Sequence, residues 1–177
     1  LGGCVNLVNS ELENVDIVIK NAKCPNSIES LYTNGNINFI EIKNSALDAF
    51  DAEFSNIKIK DIKVLKTNGE CIGIKRGNFE ILNSNLTDCG DKAISVGEHG
   101  YLKIYKAKIK NSYMGIVSKN SSKTEIHQLD SNAGICLYAY RDKLNYFGSI
   151  IKIKDKKKIN CNSREIKKDI NSLIDYN

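Results

Sequence analysis

Four short apolar segments recur along the middle of the chain at one interval: Ala49-Phe50-Asp51-Ala52, Cys71-Ile72-Gly73-Ile74, Ala93-Ile94-Ser95-Val96 and Gly115-Ile116-Val117-Ser118. Their second residues stand at 50, 72, 94 and 116, so each step is 22 residues. A fifth copy, Gly134-Ile135-Cys136-Leu137, follows 19 residues after the fourth. Ile42, Ile59, Ile81, Ile104 and Ile126 form a second recurring column. A fixed period of this size marks an array in which each unit buries its apolar face against the next.

Inside each unit the pattern alternates with period two, as in Ile57-Lys58-Ile59, Phe79-Glu80-Ile81, Leu102-Lys103-Ile104 and Thr124-Glu125-Ile126. Such alternation means short strands with one face inward. Asn, Asp, Ser and Gly bound them, and these residues suit tight turns and left-handed backbone. No long amphipathic helix separates the strands, which excludes βαβ units. The sequence therefore predicts an all-β, right-handed parallel β-helix with about three short strands per coil, rising about 4.8 Å per coil. Seven coils are expected: two irregular ones over about 4–31, a third over about 36–55, regular ones over 56–77, 78–100 and 101–122, and a last that begins at Lys123 and loses regularity near Arg141. Three inner ladders are expected: Ile57/Phe79/Leu102/Thr124, Phe50/Ile72/Ile94/Ile116/Ile135 and Leu47/Val64/Leu86/Ile109.

The solenoid is assigned to 1–154, and 155–177 is read as a basic linker followed by a short amphipathic helix. In that helix Ile166, Ile170, Leu173 and Ile174 would share one face, and Asn162-Ser163-Arg164-Glu165 reads as a capped start. It would cover the open edge of the last coil.

Hydrophobic residues are 41% of 177, modest for a compact globule and suited to an elongated solenoid with more surface per residue. The net charge of +5 reflects lysines gathered in the last 26 residues, read as a solvated basic end. No recognition motif or aromatic interleaving accompanies them, so no nucleic-acid partner is expected. No apolar run approaches the roughly 18 residues of a membrane span. The chain begins at Leu1 and not at Met, which suggests a fragment or processed chain and leaves a cell-surface, periplasmic or cytoplasmic location open. The six cysteines (Cys4, Cys24, Cys71, Cys89, Cys136 and Cys161) show no CxxC spacing. No two sit one coil above another, so they are expected to be small, buried, reduced thiols, which leans towards a reducing compartment.

The stretches Leu47-Asp48-Ala49-Phe50-Asp51-Ala52-Glu53-Phe54-Ser55, Cys89-Gly90-Asp91-Lys92-Ala93-Ile94-Ser95-Val96-Gly97-Glu98 and Gly115-Ile116-Val117-Ser118-Lys119-Asn120-Ser121 carry a resemblance. They resemble SDAxDxDFS, GDKGISVGE and SKDxS stretches of a bacterial group of right-handed parallel β-helix proteins. That group lies in the broad pectate-lyase-like class, and some members lie beside kinase-like domains of the spore-coat type. The likeness covers about 3–154 and implies the fold more than a reaction. The chain departs from the pattern at Gly69–Arg76, where an acidic stretch is expected, and at Asn120, where the group has Asp. Any carboxylate site is correspondingly thinner here.

Polar residues gather around the Phe50/Ile72/Ile94/Ile116 strand and would stand out from it as a comb that can line a polysaccharide groove. Asp48, Asp51 and Glu53 lie close together on one coil and are the candidate ligands of a possible Ca²⁺. Asp51, Glu53 and Asp91 are the candidate catalytic carboxylates of a lyase, epimerase or hydrolase acting on acidic glycans. Asp48, Glu53, Lys92, Glu98, Lys119, Tyr138 and Arg141 are candidate ligand-binding residues, with Tyr138, Tyr140, Tyr146 and Phe147 offering ring faces. Against chemistry stands the charge register: Glu70 falls beside Lys92, Glu53 beside Lys75, and Arg76 beside Glu98, pairs that neutralise the comb. Asp91 escapes that pairing. The preferred expectation is a module that binds or processes polysaccharide and requires no cofactor. The alternative is a non-catalytic scaffold of a longer protein.

Overall fold

The computed structural model describes residues 2–162 and 165–176. It shows an all-β parallel solenoid of about 22 residues per turn and about 8 turns. The coils stack into an 8-stranded sheet of short strands and a 10-stranded sheet of longer ones. In the regular coils the short strands are Asp48–Glu53, Ile72–Lys75, Lys92–Gly97 and Met114–Lys119. The long ones are Asn34–Ser45, Asn56–Thr67, Asn78–Cys89 and Tyr101–Lys110.

Each long strand turns a corner without ending. In Asn56–Thr67 the buried residues are Ile57 and Ile59, then Ile62 and Val64, with Lys60 and Asp61 both outward between them. The two-residue alternation slips by one, so both halves keep apolar side chains inside. The same slip falls at Leu82-Asn83 and at Tyr105-Lys106. One coil later the strand separates into Lys123–Ile126 and Leu129–Ser131, which both pair with Tyr101–Lys110. The coil thus has three walls, although two of them usually belong to one bent strand.

The remaining corners use left-handed backbone in two columns. One holds Asn21, Asn44, Lys66, Asp88 and Asn111; the other holds Asn9, Tyr32, Phe54 and Arg76 and continues to Glu98-His99 and Asn120-Ser121. Asn and Asp tolerate this conformation well, while Tyr and Phe adopt it at a cost. Side-chain amides reinforce the stacking: Asn78 Nδ2 donates to Asn56 Oδ1 at 2.9 Å, and Asn56 Nδ2 to Asn34 Oδ1 at 3.0 Å.

The predicted ladder Ile57/Phe79/Leu102/Thr124 is present in register. The others need correction. Ile135 pairs with Met114, and Leu137, 21 residues after Ile116, continues the Phe50/Ile72/Ile94/Ile116 column. Leu47 is 48% exposed at a corner, and Ile42 occupies its expected place in the Val64/Leu86/Ile109 column. The Ile59 column is entered from Ile37 and not from Ile42.

The C-terminal helix is not formed. Ile166–Lys168 and Leu173–Tyr176 are strands added to the two sheets, with Ile150 opposite Leu173 and Leu137 opposite Ile166. Ser163 and Arg164 of the expected helix start lie outside the described residues. An isolated helix of this length is marginal, whereas the preceding edge offers unpaired backbone donors and acceptors. Ile170 is 95% exposed, so the expected apolar face is not buried as a unit.

The reduced-thiol expectation is also overturned. Cys4–Cys24, Cys71–Cys89 and Cys136–Cys161 are disulfides, with Cα–Cα distances of 5.4, 5.5 and 5.7 Å. Cys89 stacks in register on Thr67, and Cys71 lies just past the corner that follows Thr67. The bridges therefore cross a corner, a relation that comparing residues one coil apart does not test. Among the described residues no cysteine is free and no helix is long and apolar enough to cross a membrane.

Candidate functional site

The outer face of the short-strand sheet carries a trough of about 190 Å³. Asp51, Ser95 and Gly97 line its floor, the first two belonging to the in-register column Asp51, Gly73, Ser95 and Val117. Two small residues follow Asp51, and Gly73 is what lets acidic groups close in. A methyl group on Gly73 would lie 2.9 Å from Asp51 Oδ1 and 3.0 Å from Glu70 Oε2. Asp48, Asp51, Glu70, Lys75, Glu98, Lys119, Asn120 and Lys143 all line the trough.

Most of these charges are already matched. Lys75 Nζ lies 3.6 Å from Asp51, and Lys92 Nζ lies 3.2 Å from Glu70 and also contacts Asp91. Asp91 therefore does not escape pairing; the partner is the next residue along the chain, not the coil above or below. Arg76 bridges Glu53 at 2.5 Å and Glu98 at 2.6 Å. Lys143 closes on the other oxygen of Glu98. The expected pairs Glu70–Lys92 and Arg76–Glu98 are thus present, while Glu53 stands beside Lys75 but bonds Arg76. Asp48 Oδ1 accepts from the Glu70 backbone N–H at 2.7 Å.

Environment separates the acids. Burial pushes the Asp51 carboxyl above the usual carboxylate range, Lys75 pulls against it, and Glu70, Asp48 and Glu53 add to it. The Lys143 hydrogen bond holds Glu98 below that range, with burial opposing and Arg76 assisting. For Lys92, burial works to lower the ammonium pKa, but Asp91 and Glu70 outweigh it and raise it.

The segment Arg141–Gly148 forms one end of the trough. Asn120 Oδ1 accepts from the backbone N–H groups of Asp142 at 3.0 Å and Lys143 at 3.1 Å. The Tyr146 hydroxyl accepts from Arg76 at 3.2 Å. Asn120 is 1% exposed, and its Nδ2 has no partner among the described residues. Lys119 reaches Asp142 only at 3.8 Å.

Of the residues singled out from sequence, Asp48, Asp51, Glu98 and Lys119 share this trough. Lys92 backs it through Glu70, and Glu53 lies beyond it on Arg76. Tyr138 packs on Tyr140 with tilted rings 4.4 Å apart and does not line the trough, while Tyr146 is a ring neighbour of His99 at 5.2 Å. Arg141 is exposed, with its backbone N–H on Asp169. Among the described residues no group of three or more His, Cys, Asp or Glu side chains is arranged to hold a metal ion. Asp48, Asp51 and Glu53 each turn to a different donor. Lys75 and Lys143 were missed as site residues. Lys75 was legible as the register partner of Glu53, whereas Lys143 lies 45 residues from Glu98, with no period to betray it.

No protein-family model matches the chain, and neither a curated protein nor a solved structure matches it.

Proposed function

We propose that the chain is a non-catalytic module that holds a polysaccharide strand along the trough on its short-strand sheet. The observation that carries this is the trough itself: a small-residue floor at Ser95 and Gly97 between donors and acceptors held in place by ion pairs. Sugar hydroxyls are both donors and acceptors, and a rigid polar surface of mixed sign costs little to order on binding. Matching of Asp51, Glu70, Asp91 and Glu98 by lysine or arginine argues against their use as free acids and bases. The GDKAISVGE stretch supports placing the chain in the bacterial, pectate-lyase-like group of β-helices. The three bridges favour an oxidising compartment outside the cytosol.

The test is affinity electrophoresis against neutral and acidic polysaccharides, followed by calorimetry on those that retard the protein. Retardation by at least one, weakened at least tenfold by Gly97→Gln, is expected, with an unchanged melting curve because a Cβ there meets only the Lys119 side chain, at 3.6 Å. Retardation unaffected by Gly97→Gln would sink the trough as the site. Release of new reducing ends, abolished by Asp51→Asn, would replace binding with catalysis. The same ion pairs favour a second reading, a spacer or interaction domain of a longer protein, and failure to bind any polysaccharide would select it.

A further inference from the structure

On the long-strand sheet Lys58 pairs with Glu80 at 2.8 Å before the bend, but the charges beyond the bend are mostly not matched in this way. Beyond the bend, the outward row nearest the corner is Lys20, Lys43, Leu65, Thr87 and Lys110, in register across five coils. The adjoining row contains Val18, Glu41, Lys63, Asn85 and Lys108. Lys66 stands at the left-handed corner beside them. Lys43 pairs with Glu41 at 3.1 Å. Lys20, Lys63, Lys66, Lys108 and Lys110 are exposed, and among the described residues none lies within 4.0 Å of a carboxylate. The nearby acids form no ion pair with these lysines: Asp130 follows Lys108 in register and accepts from Asn160 at 2.9 Å, Asp88 accepts from Asn111 at 3.2 Å, and Asp61 lines the same concavity as Lys63 and Lys108 without reaching them. Two aliphatic side chains stand out among the lysines, Val18 at 56% and Leu65 at 43% exposure.

We propose that this stripe docks the protein on an anionic lipid bilayer. Coils in register present it as a flat face, which fits a planar partner. Lysine ammoniums attract acidic headgroups as point charges, each worth about 1 kcal/mol near such a surface. Val18 and Leu65 can enter the headgroup region, while the lysine stems lie along it. A nucleic-acid surface would use arginine for bidentate phosphate recognition and open rings for base stacking. The stripe holds no arginine, and the ring beside it, Phe39, is capped by the Lys63 ammonium at 5.5 Å and so is not open to base stacking. The inference does not depend on the trough binding anything.

Sedimentation with phosphatidylcholine vesicles, with and without phosphatidylglycerol, tests it on the full chain. Binding only to the acidic vesicles, weakening as salt rises, is expected. The variant Lys63→Gln/Lys108→Gln/Lys110→Gln should partition about a hundredfold less, as three lost lysine–headgroup attractions imply. All three are exposed, so its melting curve should match wild type. The charge-matched variant Lys152→Gln/Lys156→Gln/Lys157→Gln should keep wild-type partitioning within a factor of a few. The proposal is overturned if acidic vesicles fail to bind at low salt, if neutral vesicles bind equally, or if both triple variants lose binding alike. Capture by duplex DNA without capture by acidic vesicles would overturn it too, in favour of a nucleic-acid surface.

Discussion

Reducing the three disulfides should remove a large share of the stability of this solenoid. The bridges span 20, 18 and 25 residues and enclose separate stretches of chain, 4–24, 71–89 and 136–161. In the chain-entropy account a closed loop of this size restrains the unfolded state by about 3 kcal/mol. Because the loops neither nest nor overlap, the three terms add to about 10 kcal/mol, comparable with the whole unfolding free energy of an ordinary domain. Cys71 and Cys89 are fully buried, so replacing them would also delete core volume. Reduced wild type keeps that volume and isolates the cross-link. Protein refolded in a glutathione buffer should show no titratable thiol once unfolded. Its guanidinium transition, followed by circular dichroism, should move to much lower denaturant when a phosphine reductant is added. Cys71→Ala/Cys89→Ala should lose about 3 kcal/mol beyond its packing loss, with the other two bridges intact. Six thiols titrating in the refolded protein, or one midpoint with and without reductant, would refute the reasoning.

Burial raises the Asp51 pKa in the folded state, so its ionisation opposes folding at neutral pH, and the penalty fades as pH falls through that raised value. Asp51→Asn should therefore raise the melting temperature at pH 7 and lose that advantage in acid, as a pH series of melts would show. Glu98 is shifted the other way by Lys143, so the pair stabilises above the unfolded carboxylate pKa and stops doing so as pH falls through the lowered folded value. Lys143→Met should destabilise at pH 7 and be neutral in strong acid; an equal loss at both would refute the ion-pair account. Ile94 is 0% exposed in the middle of its ladder, and Ile94→Ala should cost about 2–5 kcal/mol in denaturant unfolding.

The period of 22 was enough to place most interior side chains because each regular coil repeats the same three walls. Ile57, Phe79 and Leu102 stack by arithmetic alone. The arithmetic fails where the chain leaves the period. At the last predicted copy the likeness of Gly134-Ile135 to Gly115-Ile116 suggested one register, but the backbone sets Met114 opposite Ile135. Leu47 is apolar and near the right spacing, yet it falls on a corner where the backbone turns it outward. The helical reading of 166–174 rested on four apolar residues with helical spacing, and an open parallel edge recruits the same segment as strand. Contacts that cross a corner or reach out from a loop leave no trace in the spacing. The three disulfides and the Lys143–Glu98 pair are of this kind, so the trough was legible as a polar comb while its closed end was not.

The same repeat explains why one solenoid carries two surfaces of opposite electrostatic character. On the short-strand sheet acids and bases meet between neighbouring coils at several places, Glu70 below Lys92 and Arg76 below Glu98, about one strand spacing of 4.8 Å apart. Partly exposed pairs of this kind contribute roughly 0.2–1 kcal/mol each. They fix side chains in place more than they stabilise the fold. On the long-strand sheet the outward row runs Lys20, Lys43, Leu65, Thr87 and Lys110, with no carboxylate in the column; Lys20 and Lys43 are stacked neighbours, and Glu41 of the adjoining row relieves only Lys43. Repulsion along that row is a small cost that an acidic external surface would remove. Only Lys66 to Gly69 separate Leu65 on that row from Glu70 in the trough. A module held on a bilayer by its lysine row would therefore present the trough around the adjacent corner, beside the membrane, where surface polysaccharide is met.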